Sequence, residues 1–169
     1  MTGELPPRSR FAIHILRLQW PDLGFKYTKR EVWPLLAATD LTDGLLALSE
    51  ADIQTYDWDR QEVWLNETGR ARLADAWTED VGAALGRAFV VTLHDERMYG
   101  GLFYYEGGAA AIRFPVIHLI GRPVQGLRIR PSMGETCDDH VPRVAEHCRT
   151  IADVRILDWF VQRGLCWRR

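Results

Sequence analysis

β-Branched and aromatic residues crowd positions 88–130, interrupted by short polar or glycine-containing breaks. The spacing predicts four strands, at about 88–94, 97–105, 110–119 and 124–130. Asp95-Glu96, Glu106-Gly107-Gly108 and Gly121-Arg122-Pro123 are the expected turns. Links this short leave no room for a crossover helix, so the expected arrangement is an antiparallel meander. The two-residue period of its first strand puts Phe89, Val91 and Leu93 on one face, with Thr92 and His94 on the other.

Ahead of this block, Phe11, Ile13 and Ile15 alternate with Ala12 and His14, which predicts a strand with His14 on the face opposite the isoleucines. Thr28-Lys29-Arg30-Glu31 has the form of a capping box and predicts a helix to about Ala38. Pro34 lies too deep for a first-turn proline, so the helix either starts near Trp33 or kinks. Positions 40–48 read as a short helical turn or a loop whose leucines fill the core. Positions 53–65 read as a hairpin, with Ile53 and Thr55 alternating with Gln54 and Tyr56 and a turn at Trp58 to Gln61. Asn66 is a good N-cap for a helix striped by Leu73, Ala76 and Trp77, with a second segment at 81–85. After the meander, helical spacing runs from Val141 through Val144, Cys148 and Ile151 and continues to Arg163, where Gly164 ends it, as one helix or as two joined near Thr150.

These elements predict an α+β fold: a mainly antiparallel sheet, with the four-strand meander at about 88–130 carrying much of the core and the helices packed on one face. Residues 1–10, with Pro6-Pro7, read as a flexible tail ahead of a single domain at 11–169.

Composition narrows the function without choosing it. The chain has 169 residues, 47% of them hydrophobic and 26% charged, enough for a core that needs no disulfide or metal support. A net charge of −2 offers no global positive field for nucleic acid or an anionic membrane. Lys26 and Lys29 are the only lysines; every other basic residue is arginine. Three cysteines do not make a disulfide framework. With neither a signal-peptide pattern nor a bilayer-length apolar run, a soluble cytoplasmic protein is the expectation.

Four groups of residues carry candidate chemistry. Cys137, His140, His147 and Cys148 offer zinc-ligand types, but His147 and Cys148 are neighbours about 100° apart on a helix and would not both reach one ion. Arg128 and Arg130 share a strand face and sit with Arg113 and Arg122 in a basic cluster suited to a carboxylate or phosphate. Tyr56, Asp57, Trp58 and Asp59 place aromatic rings between acids at a hairpin tip, where an indole often anchors a protein contact. The strand 97–104 has aromatics spaced somewhat like an RNA-recognition strand, but Gly101 stands where that signature needs a ring. There is no phosphate loop, no GxGxxG, no GxSxG elbow, and only three serines, Ser9, Ser49 and Ser132.

The expectation is therefore a small non-catalytic protein that binds another protein, of inhibitor, immunity or adaptor type, through the 56–59 tip. It needs no cofactor and has no membrane partner. A metal-dependent or Cys/His enzyme using the 137–148 region is the first alternative. Nucleic-acid binding through the arginines at 113–130 is ranked below both.

Overall fold

The computed structural model describes residues 10–77, 86–105, 110–133 and 151–167. The expected tail, the 81–85 segment and the Glu106-Gly107-Gly108 turn lie outside them, apart from Arg10. The chain is α+β. In order come β1 (Phe11–Gln19), α1 (Lys29–Ala38), β2 (Gly44–Ser49), β3 (Ile53–Asp57), β4 (Glu62–Leu65), α2 (Glu67–Ala76), β5 (Arg87–Leu93), β6 (Glu96–Phe103), β7 (Val116–Ile120), β8 (Gly126–Arg130), α3 (Val154–Gln162) and β9 (Cys166–Trp167). The strands form one sheet in the order β2-β1-β5-β6-β7-β8-β4-β3-β9. No helix among the described residues is long and apolar enough to cross a membrane.

The pairing is mostly antiparallel, and the meander is corrected at its centre. β6 and β7 run parallel, with Leu102 opposite Val116 and Phe103 opposite Ile117. No helix lies among the described residues between them; Ile112 and Phe114, just before β7, are buried against the sheet beside Leu102 and Val116. Gly101 makes the close approach possible, since a Cβ there would fall on the carbonyl oxygen of Pro115. The β5–β6 turn is also one residue earlier than expected. Leu93 pairs with Glu96, so His94 and Asp95 form the two-residue turn, both with positive φ.

Helices lie on both faces rather than one. One face buries Phe11, Ile13 and Ile15 of β1 with Phe89, Val91 and Leu93 of β5, under Leu73 of α2 and Ile156 and Phe160 of α3. The other face buries Leu16, Val90 and Leu102 under Val32 and Leu36 of α1, one turn apart on that helix. The register expected for β1 and β5 thus holds, except that His94 leaves it for the turn.

Local signals explain the helix starts. Asn66 caps α2 by accepting from the Gly69 N–H at 2.9 Å. Gly69, a poor helix former, sits where a Cβ would run into the Asp52 carbonyl, so its absence lets α2 seat on the 50–52 turn. Thr28 precedes α1, but its hydroxyl donates to the Glu31 carboxylate at 2.7 Å instead of capping the backbone. That bond holds the Glu31 carboxyl below its ordinary range. Pro34 lies inside α1 at an exposed position and does not delay its start. Asp153 starts α3 afresh, accepting from the Arg155 N–H at 2.9 Å, so no helix runs unbroken from Ile151 into α3; the expected helical stretch from Val141 to Cys148 lies outside the described residues.

Leu45 to Leu48, expected as core-filling loop, belong to the strand β2, paired with β1. β2 is at one end of the strand order and β3 is next to the other, yet only residues 50–52 connect them. So short a link requires the sheet to curl until its ends approach around the larger core. The buried Asp52 joins the rims: it accepts from the Ser49 N–H at 2.9 Å and pairs with Arg72 of α2.

Candidate functional site

The expected contact at 56–59 does not project from the body. β3 has a bulge: Ile53 faces Leu65 and Tyr56 faces Val63, so Gln54 and Thr55 on one strand stand against Trp64 alone on the other. The extra residue flips the later part of β3, so Tyr56 enters the core on the same side as Ile53. Tyr56 is fully buried, 5.0 Å from the Phe160 ring, and its hydroxyl donates to Gln61 Oε1 at 2.6 Å. Burial pushes its phenol well above the ordinary range. Trp58 is half-buried against Tyr56, at 5.5 Å between rings. Asp57 is buried and accepts from the Arg60 N–H at 3.1 Å; Asp59 is half-buried and also has a partner. An exposed aromatic tip therefore does not form.

Arg128 and Arg130 do share a face of β8, but Arg128 is engaged across the strands by Glu62 at 2.8 Å. The wider cluster is not one patch. Arg122 lies in the turn at one end of the β7–β8 hairpin, while Arg113 precedes β7 and Arg130 ends β8 at the other. Cys137, His140, His147 and Cys148 lie outside the described residues. Among the described residues, no group of three or more His, Cys, Asp and Glu side chains could hold a metal ion.

His14 is buried and hydrogen-bonded to Thr92 Oγ1 at 3.0 Å. Burial first, and the Arg97 charge second, lower its pKa to about 4. It is neutral at physiological pH and belongs to the structure of the second face.

The surface that stands out is one the sequence pattern passes over. Trp20 opens a short 3-10 turn (Trp20–Leu23), after which Gly24 and Phe25 both adopt positive φ, 70° and 52°. The loop is pinned from three sides. The Trp20 N–H donates to the Gly86 carbonyl at 2.7 Å, the Trp20 indole N–H donates to the Lys26 carbonyl at 2.8 Å, and the Arg113 N–H donates to the Tyr27 carbonyl at 2.8 Å. Trp20 is the hub of a ring cluster, with centroids 5.6 Å from Phe25, 5.2 Å from Tyr27 and 6.1 Å from Tyr104. Tyr104 in turn stacks on Tyr105 at 4.7 Å.

Three of these rings face water: Phe25 is 54% exposed, Tyr27 46% and Tyr105 50%. Exposed Lys26, Lys29, Arg30 and Arg113 belong to the same segments and outnumber the exposed acids Asp22 and Glu31. Both lysines of the chain are among them. A bulky residue with positive φ is unfavourable, and here it holds an aromatic ring out of the core. The signal available in the sequence was Gly24 followed by an aromatic in a polar loop, with Trp20 and Tyr27 close on either side.

No family model matches the chain, and neither a curated protein nor a solved structure is significantly similar to it.

Proposed function

We propose that this chain is a non-catalytic protein-binding protein whose contact surface is the aromatic cluster around Trp20, not the 56–59 turn. The observation that carries the reading is Phe25: a half-exposed ring in a left-handed backbone conformation, which costs stability and adds little core packing. Phe25, Tyr27 and Tyr105 supply contiguous apolar area with polar edges, the composition that anchors interfaces. The basic rim favours an acidic partner.

The test compares the wild-type chain with a Phe25→Ser, Tyr27→Ser, Tyr105→Ser variant in affinity capture from cells that produce it, alongside thermal melts. The expected result is an unchanged melting temperature and at least a tenfold loss of a specific captured protein. Equal capture by both chains, or a melting temperature several degrees lower for the variant, would overturn the reading.

A second reading has its own support. The stacked Tyr104–Tyr105 pair and the nearby lysines suit single-stranded nucleic acid, whose bases stack on aromatic faces while cations meet its phosphates. Titration with a labelled oligothymidine at low and high salt separates the two: nucleic-acid binding weakens steeply as salt rises.

A further inference from the structure

β6 outruns its neighbour. It spans Glu96–Phe103, yet β7 meets only its last two residues, Val116 opposite Leu102 and Ile117 opposite Phe103. On the other side β5 pairs with it from Glu96 to Leu102. Among the described residues, 96–101 therefore have a strand on one side only.

Backbone chemistry explains why the ladder stops. A parallel ladder uses the N–H and the carbonyl of every second residue on a strand. Leu102 is one of these, its N–H donating to the Pro115 carbonyl at 3.2 Å. By alternation Gly100 is the next, with both backbone groups directed to the same side. Its carbonyl would accept from the N–H of residue 115, but that residue is proline and has none. Its N–H would donate to the Arg113 carbonyl, but there the chain has turned toward the segment ahead of α1. The Arg113 N–H donates to the Tyr27 carbonyl at 2.8 Å, and Arg113 bridges to Thr28.

The edge is open to an incoming group. Gly100 forms part of the wall of a crevice of about 40 Å³, with Met98, with Lys29 and Trp33 of α1, and with Phe114. That is more than the roughly 10–15 Å³ a water-sized group occupies. It is far below the roughly 300 Å³ at which small-molecule sites begin. Beyond the crevice Met98 and Arg97 are half-buried and Glu96 is exposed, so the edge opens to solvent along the strand. Exposed Lys29 stands at the crevice, and exposed Arg113 adjoins Phe114.

We infer that the β6 edge at 97–100 takes up an extended, acidic segment of the protein partner as an added strand. The inference rests on the reading of this chain as a protein-binding protein. The segment supplies the N–H that Pro115 lacks and an acceptor for the Gly100 N–H, the alternating pair that only a strand offers. Its carboxylates meet Lys29 and Arg113. The edge also continues into the aromatic surface, because Tyr27 and Thr28 are the residues that pair with Arg113.

Amide resonances of ¹⁵N-labelled full-length protein are followed during titration with the peptide acetyl-Val-Glu-Val-Glu-Val-amide. The Gly100 N–H signal is expected to move saturably, and its hydrogen exchange to slow about tenfold at saturation. Two further peptides carry backbone N-methyl groups, one on both glutamates and the other on all the valines. A strand presents alternate N–H groups to its neighbour, so one should bind like the parent and the other about tenfold more weakly. Lys29→Glu should weaken the parent peptide by about the same factor. Binding indifferent to both methylations, or reduced alike by both, would overturn strand addition, since attraction between side chains does not distinguish the two edges of a peptide. Protection of Gly100 that rises with protein concentration in the absence of peptide would assign the edge to a second copy of the chain and also overturn it. The Phe25→Ser, Tyr27→Ser, Tyr105→Ser variant retains the edge and should titrate like wild type, so failure of the aromatic contact surface and failure of this edge are separable.

Discussion

Tyr56 and Trp58 stand beside one turn and Trp20, Phe25 and Tyr27 beside another, yet the first pair packs into the core and most of the second set faces solvent. Ring chemistry does not separate them; the backbone does. In β3 a single extra residue rotates Tyr56 toward Phe160 and Gln61, where both its ring and its hydroxyl are satisfied. In the 20–27 loop two consecutive left-handed residues turn Phe25 outward, and the pinning bonds to Gly86 and Arg113 keep the loop from refolding over it. An aromatic residue beside a turn is thus placed by the local count of residues in register, and only then by its hydrophobicity.

The comparison can be broken most sharply at Tyr56. Tyr56→Ala should destabilise the protein by about 3–5 kcal/mol, because it opens a cavity against Phe160 and leaves Gln61 Oε1 without its donor. A urea midpoint close to wild type would show that Tyr56 is not core. Trp58→Ala should cost less, about 1–3 kcal/mol, since the indole is only half-buried against Tyr56. A fall of several degrees in melting temperature checks it. Tyr56→Phe isolates the hydroxyl and should cost about 1–2 kcal/mol by denaturant titration, chiefly through the lost bond to Gln61.

The smallest expected change has the opposite sign. Phe25→Gly relieves the left-handed strain and removes little packing, so it should leave stability unchanged or raise it by up to about 1 kcal/mol while weakening the proposed contact. A loss of stability as large as that of Trp58→Ala would erase the distinction between the two loops.

Much of the architecture could be read where local chemistry decides it. Alternation placed Phe11, Ile13 and Ile15 of β1 and Phe89, Val91 and Leu93 of β5 on one face, and Asn66 announced α2. The failures lie where non-local geometry decides. Leu45 to Leu48 form a continuous apolar run without alternation, because β2 is buried through most of its length, and such a run does not by itself identify a strand. The parallel β6–β7 pair depends on a backbone crossing that only Gly101 can accommodate, and no period in the sequence records it. The bulge in β3 inverted the expected faces of Tyr56 and Thr55 for the same reason. At the proposed contact surface, the pairing of Trp20 with Tyr104 joins residues far apart in sequence, so the cluster was invisible to any local window.

The placement of β1 also governs the order in which the protein can assemble. Ile13 lies in register between Leu48 on one side and Val91 on the other, the latter about eighty residues further along the chain. A growing or refolding polypeptide can pair β1 with β2 early, but the opposite edge of β1 stays open until β5 exists and arrives. Closing so long a loop is slow, which places refolding in the millisecond-to-second class of proteins dominated by distant strand pairs. During that interval the open edge, carrying Phe11, Ile13 and Ile15, is a template for another copy of the chain, so yield on refolding should fall with protein concentration well before the native state itself shows any tendency to associate.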